Sequence, residues 1–568
     1  MKKPYSLFPI FKKIALVAVS FFAFQVFSGA QTPFDPYACF GYLTLPNTKE
    51  PSDDFFSTQR VHDISIRFEQ KNFAQMLDSF HISKSEEMVL ASVFIDGTEY
   101  KNVGVAYRGI SFMLNGKRNP FHIKLNYIDK KQNHNGVKWI KLSNALRDPS
   151  MVREVLGYEI ARKYMPAPRA NYTNLTINGE NRGVYVNVES PSEEFLSRNF
   201  SGYTGGSLFR CAMEPTADQE RQCESRKFGS LGFEENPSCY LKNFEMRSKD
   251  GWDDLIELTR YLMKNSEQID KILNVDQTLW YLAFNNVCVN LYSYSGGLSN
   301  NYFLYKDKKG KFIPIVGDLN FAFGTFKNTG VGTDFTLEQL QELDPLLHAN
   351  NALKPLISQL LKNPDYKKLY LSHVRQIVND WFESGLYEKR AAELQKTVES
   401  AVINDKTIGY SPEEFKKSMT TTVGQLSKVP GLTELMSRRA KFLKKHPEVG
   451  GVLPPIVTDI RFSTRDKYSS SRVESFKFRV SVDRFPKRVR VVWRAKGETD
   501  FQNLDLFDDG EHGDGRAGDK NFGNTILPSG KFSEIEYYIV AENSVLMSVE
   551  PNNYMFKLKT TSLEELNQ

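Results

Sequence analysis

Apolar and polar residues alternate through residues 61–68, and again through 89–95 and 100–108, with Asp96-Gly97 between the last two runs. A period of two sends successive side chains to opposite faces of a half-buried strand. Asp-Gly between two such runs favours a type I′ hairpin turn. The same reading gives a second hairpin, 171–177 and 183–189, around Asn178-Gly179, and further strands at 121–127 and 139–142. Residues 72–80 read as a short helix. Over 150–164 the period changes: Val152, Val155, Leu156, Ile160 and Tyr164 recur near helical spacing, until Pro166 and Pro168 stop the element.

Beyond residue 250 the pattern turns helical, predicting helices at 251–264, 267–272 and 276–291. Two strands follow, 302–306 and 312–317, and then helices that include 355–361, 365–382, 387–402 and 432–445. Gly450 to Pro455 reads as a linker. From residue 456 short alternating strands such as 476–482, 488–494 and 535–540 predict an all-β module of sandwich type. The fold class expected is α+β.

Composition narrows the function. The 568 residues are 40% hydrophobic and 25% charged, enough for more than one core. The net charge of +6 is spread along the chain, which argues against a dedicated nucleic-acid binder. Lys2, Lys3, Lys12 and Lys13 precede an apolar run from Ile14 to Phe27, and Ser28-Gly29-Ala30 offers a small-residue cleavage site. That run is shorter than the roughly 20 residues of a membrane span. The expectation is a signal peptide over 1–30, a polar linker over 31–60, and export to the periplasm, cell surface or medium without a transmembrane helix after cleavage.

Cys39, Cys211, Cys223 and Cys239 lie in polar surroundings, and in an oxidising compartment they suggest two bridges with three possible connectivities. Cys288, flanked by Val287 and Val289, reads as a buried thiol.

The chemistry concentrates in two stretches. Val316-Gly317-Asp318-Leu319-Asn320-Phe321-Ala322-Phe323-Gly324 places an acid at a strand end, shortly after Asn300-Asn301. A hard cation such as magnesium takes oxygen ligands of this kind together with phosphate oxygens. Upstream, Tyr107-Arg108-Gly109-Ile110-Ser111 and the basic turn Lys117-Arg118 offer cations and a glycine that permits close backbone approach. Phosphoryl transfer uses both halves.

In their order, these blocks resemble the CotH kinase family, over about residues 61–447. Further likenesses are Asn178-Gly179 followed by Gly183-Val184-Tyr185 and Glu189, and Leu142-Ser143-Asn144 with Asp148 and Arg153. The resemblance implies an atypical protein-kinase-like core over 61–449, ahead of the β module at 450–568. It implies Mg2+ and ATP as cofactors and a protein hydroxyl as acceptor. Asp318 would be the catalytic metal ligand, assisted by Asn301 and Asn320. Arg108, Ser111, Lys117 or Arg118, and Glu189 would serve the nucleotide, while Asp148 would cap the helix near Ser150. The chain departs from the family at two places: Gly317 stands where a Trp is usual, and Tyr292, in Asn290-Leu291-Tyr292-Ser293, where an Asp is frequent.

The β module carries Asp508-Asp509-Gly510-Glu511-His512-Gly513-Asp514-Gly515 and then Asp519. Asp and Gly alternating on a tight loop can wrap Ca2+, so Asp508, Asp509, Asp514 and Asp519 are candidate ligands beside a solvated hairpin loop. Two functions compete: an exported ATP-dependent protein kinase, and a catalytically weak or inactive surface protein whose partner lies in adhesion or cell-envelope assembly.

Overall fold

The computed structural model describes residues 55–109, 111–200, 205–211, 223, 229–330, 332–424, 427–466, 473–495, 502–526, 534–550 and 559–562. The expected signal peptide, Cys39 and most of the linker lie outside these residues.

The first unit begins with β1 (Val61–Arg67), helix α1 (Phe73–Ile82), β2 (Val89–Ile95), β3 (Thr98–Tyr107), β4 (Phe121–Lys124) and β5 (Trp139–Ser143). Helix α2 (Arg153–Arg162), β6 (Ala170–Ile177) and β7 (Glu180–Val188) complete it. Both expected hairpins form, and their turn residues have positive φ, as a type I′ turn requires: 47° and 87° at Asp96-Gly97, 47° and 83° at Asn178-Gly179. The seven strands close a barrel in the order β1-β2-β3-β4-β5-β7-β6, sealed by parallel pairing of β1 with β6. Alternate residues such as Ile64, Ile66, Val93, Val103, Val105, Ile123 and Leu142 fill its interior. Fully burying a side chain of this kind contributes about 1.5–3 kcal/mol.

The second unit holds a four-stranded sheet, β11-β10-β8-β9, made of β8 (Leu208–Cys211), β9 (Phe244–Met246), β10 (Tyr302–Lys306) and β11 (Phe312–Val316). Helices α3 (Trp252–Lys264), α4 (Val275–Val287), α5 (Pro355–Lys362), α6 (Pro364–Ile377), α7 (Leu386–Ile403) and α8 (Leu432–Lys445) surround it. The helix expected at 365–382 changes register near its end, where Val378–Glu383 forms a π-type turn.

The last unit comprises two antiparallel sheets. One is β12 (Ile456–Asp466), β13 (Val473–Asp483) and β16 (Asn521–Ile526). The other is β15 (Gln502–Leu506), β14 (Arg488–Ala495), β17 (Glu534–Glu542) and β18 (Met547–Glu550), with β19 (Lys559–Ser562) also on β17. Phe478, Val480, Val491, Trp493, Tyr537 and Ile539 join them in one core. This unit packs on the helical one. Val492, Val540, Leu546 and Met547 belong to the main hydrophobic cluster. Ser372 on α6 donates to the Met547 carbonyl at 2.8 Å, and Lys368 pairs with Glu542 at 2.6 Å.

The cysteine expectation is met in part. Cys223 and Cys239 form a disulfide. Cys211 does not join a bridge: it is a buried thiol on β8 that donates to the Ser299 carbonyl at 3.4 Å. Cys288 is a buried thiol, as expected.

Of the aspartates proposed for calcium, Asp508, Asp509 and Asp519 accept from the loop's own amides, while the buried Asp514 keeps its Oδ1 without a partner. Asp508 accepts from Gly518, Asp519 and Lys520, Asp509 from Glu511 and His512, and Asp519 from Arg516 and Asn521. Asp514 is buried and accepts from Gly510. A glycine-rich loop leaves many N–H groups without ladder partners, and these carboxylates supply them. Among the described residues no three His, Cys, Asp or Glu side chains converge as metal ligands.

Candidate active site

Strand β11 is buried along its whole length and delivers Gly317 and Asp318 to the edge of the helical unit. The Asp318 backbone is bracketed by Asn301. The Asn301 Oδ1 accepts from Asp318 N–H at 2.8 Å, while its Nδ2 donates to the carbonyls of Asp318 at 2.8 Å and Tyr292 at 2.7 Å. Asn301 thus positions the backbone of the acid it was expected to assist. A Cβ at Gly317 would collide with Asn301, so no side chain fits there.

Helix α2 lies directly against this segment. Gly157 permits the approach, since a Cβ there would stand 3.1 Å from Leu319 Cδ1. Tyr158 donates to the Gly317 carbonyl at 2.7 Å. One turn earlier on the same face stands Glu154, 1% exposed, with no cation paired to it among the described residues and Ser143 nearby but outside hydrogen-bond geometry. Burial, and secondarily the charge of Asp318 against the attraction of Lys141, pushes its carboxyl up to about 7.

Lys141, on β5, reaches across to pair with Asp318. Burial would raise the Asp318 carboxyl, but Lys141, with lesser help from Arg210 and His122, holds it below the ordinary range. His122, opposite Lys141 in the β4–β5 register, is pushed well down by burial and by the charges of Lys141, Arg210, Arg108 and Arg247. Lys141 and Arg210 are thus the cations whose charge reaches Asp318, and Arg210 also pairs with Glu245 at 3.5 Å.

The expected site residues divide sharply. Asn320 follows Asp318 by two positions, and its Oδ1 is buried without a partner. Arg108 donates to the carbonyls of Tyr107 and Ser85. Ser111 donates to Asn144 Oδ1 at 3.0 Å, which ties its loop to the segment that follows Lys141. Lys117 is exposed. Arg118 is corrected outright: it is buried, pairs with Asp405 at 2.6 Å, and also donates to Thr407 and to the Asn144 and Val184 carbonyls. Its guanidinium closes the barrel onto the segment after α7, with four of its five N–H donors taken by these partners. Glu189 is held between Arg169 and Arg198 and so makes ion pairs on both sides. Asp148 caps the start of α2, accepting from the N–H of Ser150 and Arg153 while pairing with the Arg153 guanidinium.

Tyr292 is buried, its ring 5.1 Å from Phe321 and 5.6 Å from Phe326. Sequence reasoning missed Lys141, Glu154, His122 and Arg210. One signal was available for Glu154: apolar residues occur all round α2, a pattern of buried helices, and an acid in such a helix is a candidate for special chemistry.

Comparison with known proteins places the chain in a family. The Inner spore coat protein H of Bacillus subtilis (strain 168) is 21% identical over 355 residues, covering 61% of this chain and 87% of that protein. The model of the family described as CotH kinase protein matches residues 105–443, more than half of the chain and a span that holds Lys141, Glu154 and Asp318. The chain belongs to the CotH kinase protein family.

Proposed function

We propose that this CotH domain binds magnesium–ATP at Asp318 and transfers the terminal phosphoryl group to a protein hydroxyl. One observation carries the reading: a strand lysine, a buried helix glutamate and a strand-end aspartate meet in one place. In protein kinases a strand lysine paired to a helix glutamate holds the phosphates, while an aspartate holds the metal. Here Asp318 and the unpartnered Oδ1 of Asn320 would hold the magnesium, whose charge offsets that of the phosphate oxygens. Lys141, released from Asp318, turns to the phosphates, and Glu154 ionises as its partner. Arg210 adds its positive charge. A kinase-like core followed by a β-sandwich is the fold reading that goes with this function.

Export belongs to the proposal. The targeting pattern over 1–30 and the Cys223–Cys239 bridge support it. Among the described residues no helix is long and apolar enough to cross a membrane. The named relative is a spore coat protein, which suits a role outside the cytoplasm.

Tyr292 favours a second reading. A neutral phenol packed on Phe321 and Phe326 stands where the family often has an acid, so no carboxylate is supplied there to take the proton of an acceptor hydroxyl. In that case the domain binds nucleotide, or a surface partner, without transferring phosphate. Incubation of the purified chain with γ-labelled ATP, magnesium and acceptor protein separates the two. Label lost in Asp318→Ala supports the kinase. Magnesium-dependent ATP binding without label supports the binding protein.

A further inference from the structure

A second positively charged recess lies behind the aromatic cluster of Tyr292. Arg147, Thr325, Phe326, Lys327, Asp334, Ser427 and Lys428 line a cavity of about 200 Å³. The lining comes from three separate stretches: the turn before α2, the segment that follows Asp318, and the stretch before α8. Its inner wall borders the site described above, for Phe326 packs on Tyr292 and the Arg147 guanidinium lies 5.7 Å from the Phe321 ring.

Two independent features mark it as built for a ligand. None of Arg147, Lys327 and Lys428 makes an ion pair within 4 Å among the described residues, although Asp334 stands in the same cavity. Asp334 instead accepts from Asn328, and Lys327 donates to the Lys428 carbonyl at 2.7 Å. Burial, with a smaller contribution from Lys428, pushes the Lys327 ammonium below its ordinary range against the attraction of Asp334. Thr325, 5% exposed, has a buried hydroxyl with no hydrogen-bond partner. A buried polar group left unmatched costs stability unless something fills its need.

We infer that this recess is a binding site for a phosphate monoester dianion, distinct from the nucleotide site at Asp318. Three cations and one carboxylate leave a net charge of about +2, which matches the −1.5 to −2 of a phosphate monoester near neutral pH. Arg147 supplies a planar fork, the lysines supply point charges, and Thr325 and Ser427 supply hydroxyl donors. The cavity is smaller than the roughly 300–1,000 Å³ of drug-sized pockets, which suits one phosphate-bearing group. Bound there, the anion would join all three stretches and steady the wall that carries Phe326.

The test uses the purified full chain and inorganic phosphate, titrated at constant ionic strength while thermal unfolding is followed. A saturable rise in Tm is expected. The half-saturating concentration should increase at least tenfold in Arg147→Gln/Lys428→Gln, increase severalfold in Thr325→Val, and stay unchanged in Lys141→Met. Absence of a saturable response overturns the inference. So does a response kept in the double variant, or one lost in Lys141→Met, since the anion would then occupy the Asp318 site. Circular dichroism establishes that each variant is folded. A fluorescent phosphoserine peptide and its unphosphorylated twin identify the source. Peptide binding tighter than that of phosphate assigns the site to a phosphorylated protein side chain, and equal or weaker binding assigns it to the free anion.

Discussion

Replacing Glu154 with glutamine removes a carboxyl that the fold holds in an unfavourable place. The wild-type group moves from an ordinary 4.5 to about 7, because burial outweighs the attraction of Lys141. Below pH 4.5 both folded and unfolded chains carry the proton, and the group has no effect on stability. Between 4.5 and 7 the unfolded chain has released it while the folded chain keeps it. The unfolded state then binds fewer protons, so stability falls as pH rises through this window. The full effect, reached above about pH 8, is about 3 kcal/mol. An amide has no such titration. Urea denaturation of both proteins at half-unit steps from pH 5 to pH 8 measures the difference, and other titrating groups cancel from it. Glu154→Gln should gain on the wild type by about 2.5 kcal/mol between pH 5 and pH 8, most steeply between pH 5 and 7. A stability difference independent of pH would refute the placement of Glu154 as a buried, unpartnered acid.

Other expectations follow from the same contacts. Arg118→Met should destabilise the chain by about 3–5 kcal/mol, because Asp405 is left buried without its partner, while ATP affinity of the folded fraction is unchanged; calorimetry and a binding titration read the two effects. Tyr292→Asp, which the sequence alone recommends as a repair, should cost about 3–5 kcal/mol through lost packing on Phe321 and Phe326, whereas Tyr292→Phe should fold normally in thermal melts. Reducing the bridge between Cys223 and Cys239, 16 residues apart, should lower stability by about 3 kcal/mol, and a Cys223→Ser/Cys239→Ser variant should match the reduced protein in its unfolding midpoint.

Local structure was legible where short-range chemistry decides it. Asp96-Gly97 and Asn178-Gly179 adopt the positive φ angles their turns need, and the hairpins around them stand within a few residues of expectation. Barrel closure was not legible, since it rests on parallel pairing of Val61–Arg67 with Ala170–Ile177, about a hundred residues apart. The short strands Leu208–Cys211 and Phe244–Met246 were missed because each is too brief to display a period. Asp318 stands just past a buried strand, as its sequence context suggests, and the cation that pairs with it is Lys141. Lys117-Arg118 looks like a phosphate-binding pair, yet Arg118 faces inward to Asp405, 287 positions away, and only the tertiary fold brings that partner. Lys141 looks like any polar residue of an alternating strand, so nothing local distinguished it.

The most direct test of the central claim is an isothermal titration of ATP into the purified chain, with magnesium and with chelator, for the wild type, Asp318→Ala and Lys141→Met. Saturable binding is expected that requires magnesium and is lost, or weakened at least tenfold, in both folded variants. Binding that persists without magnesium, or that survives both substitutions, would contradict the central claim.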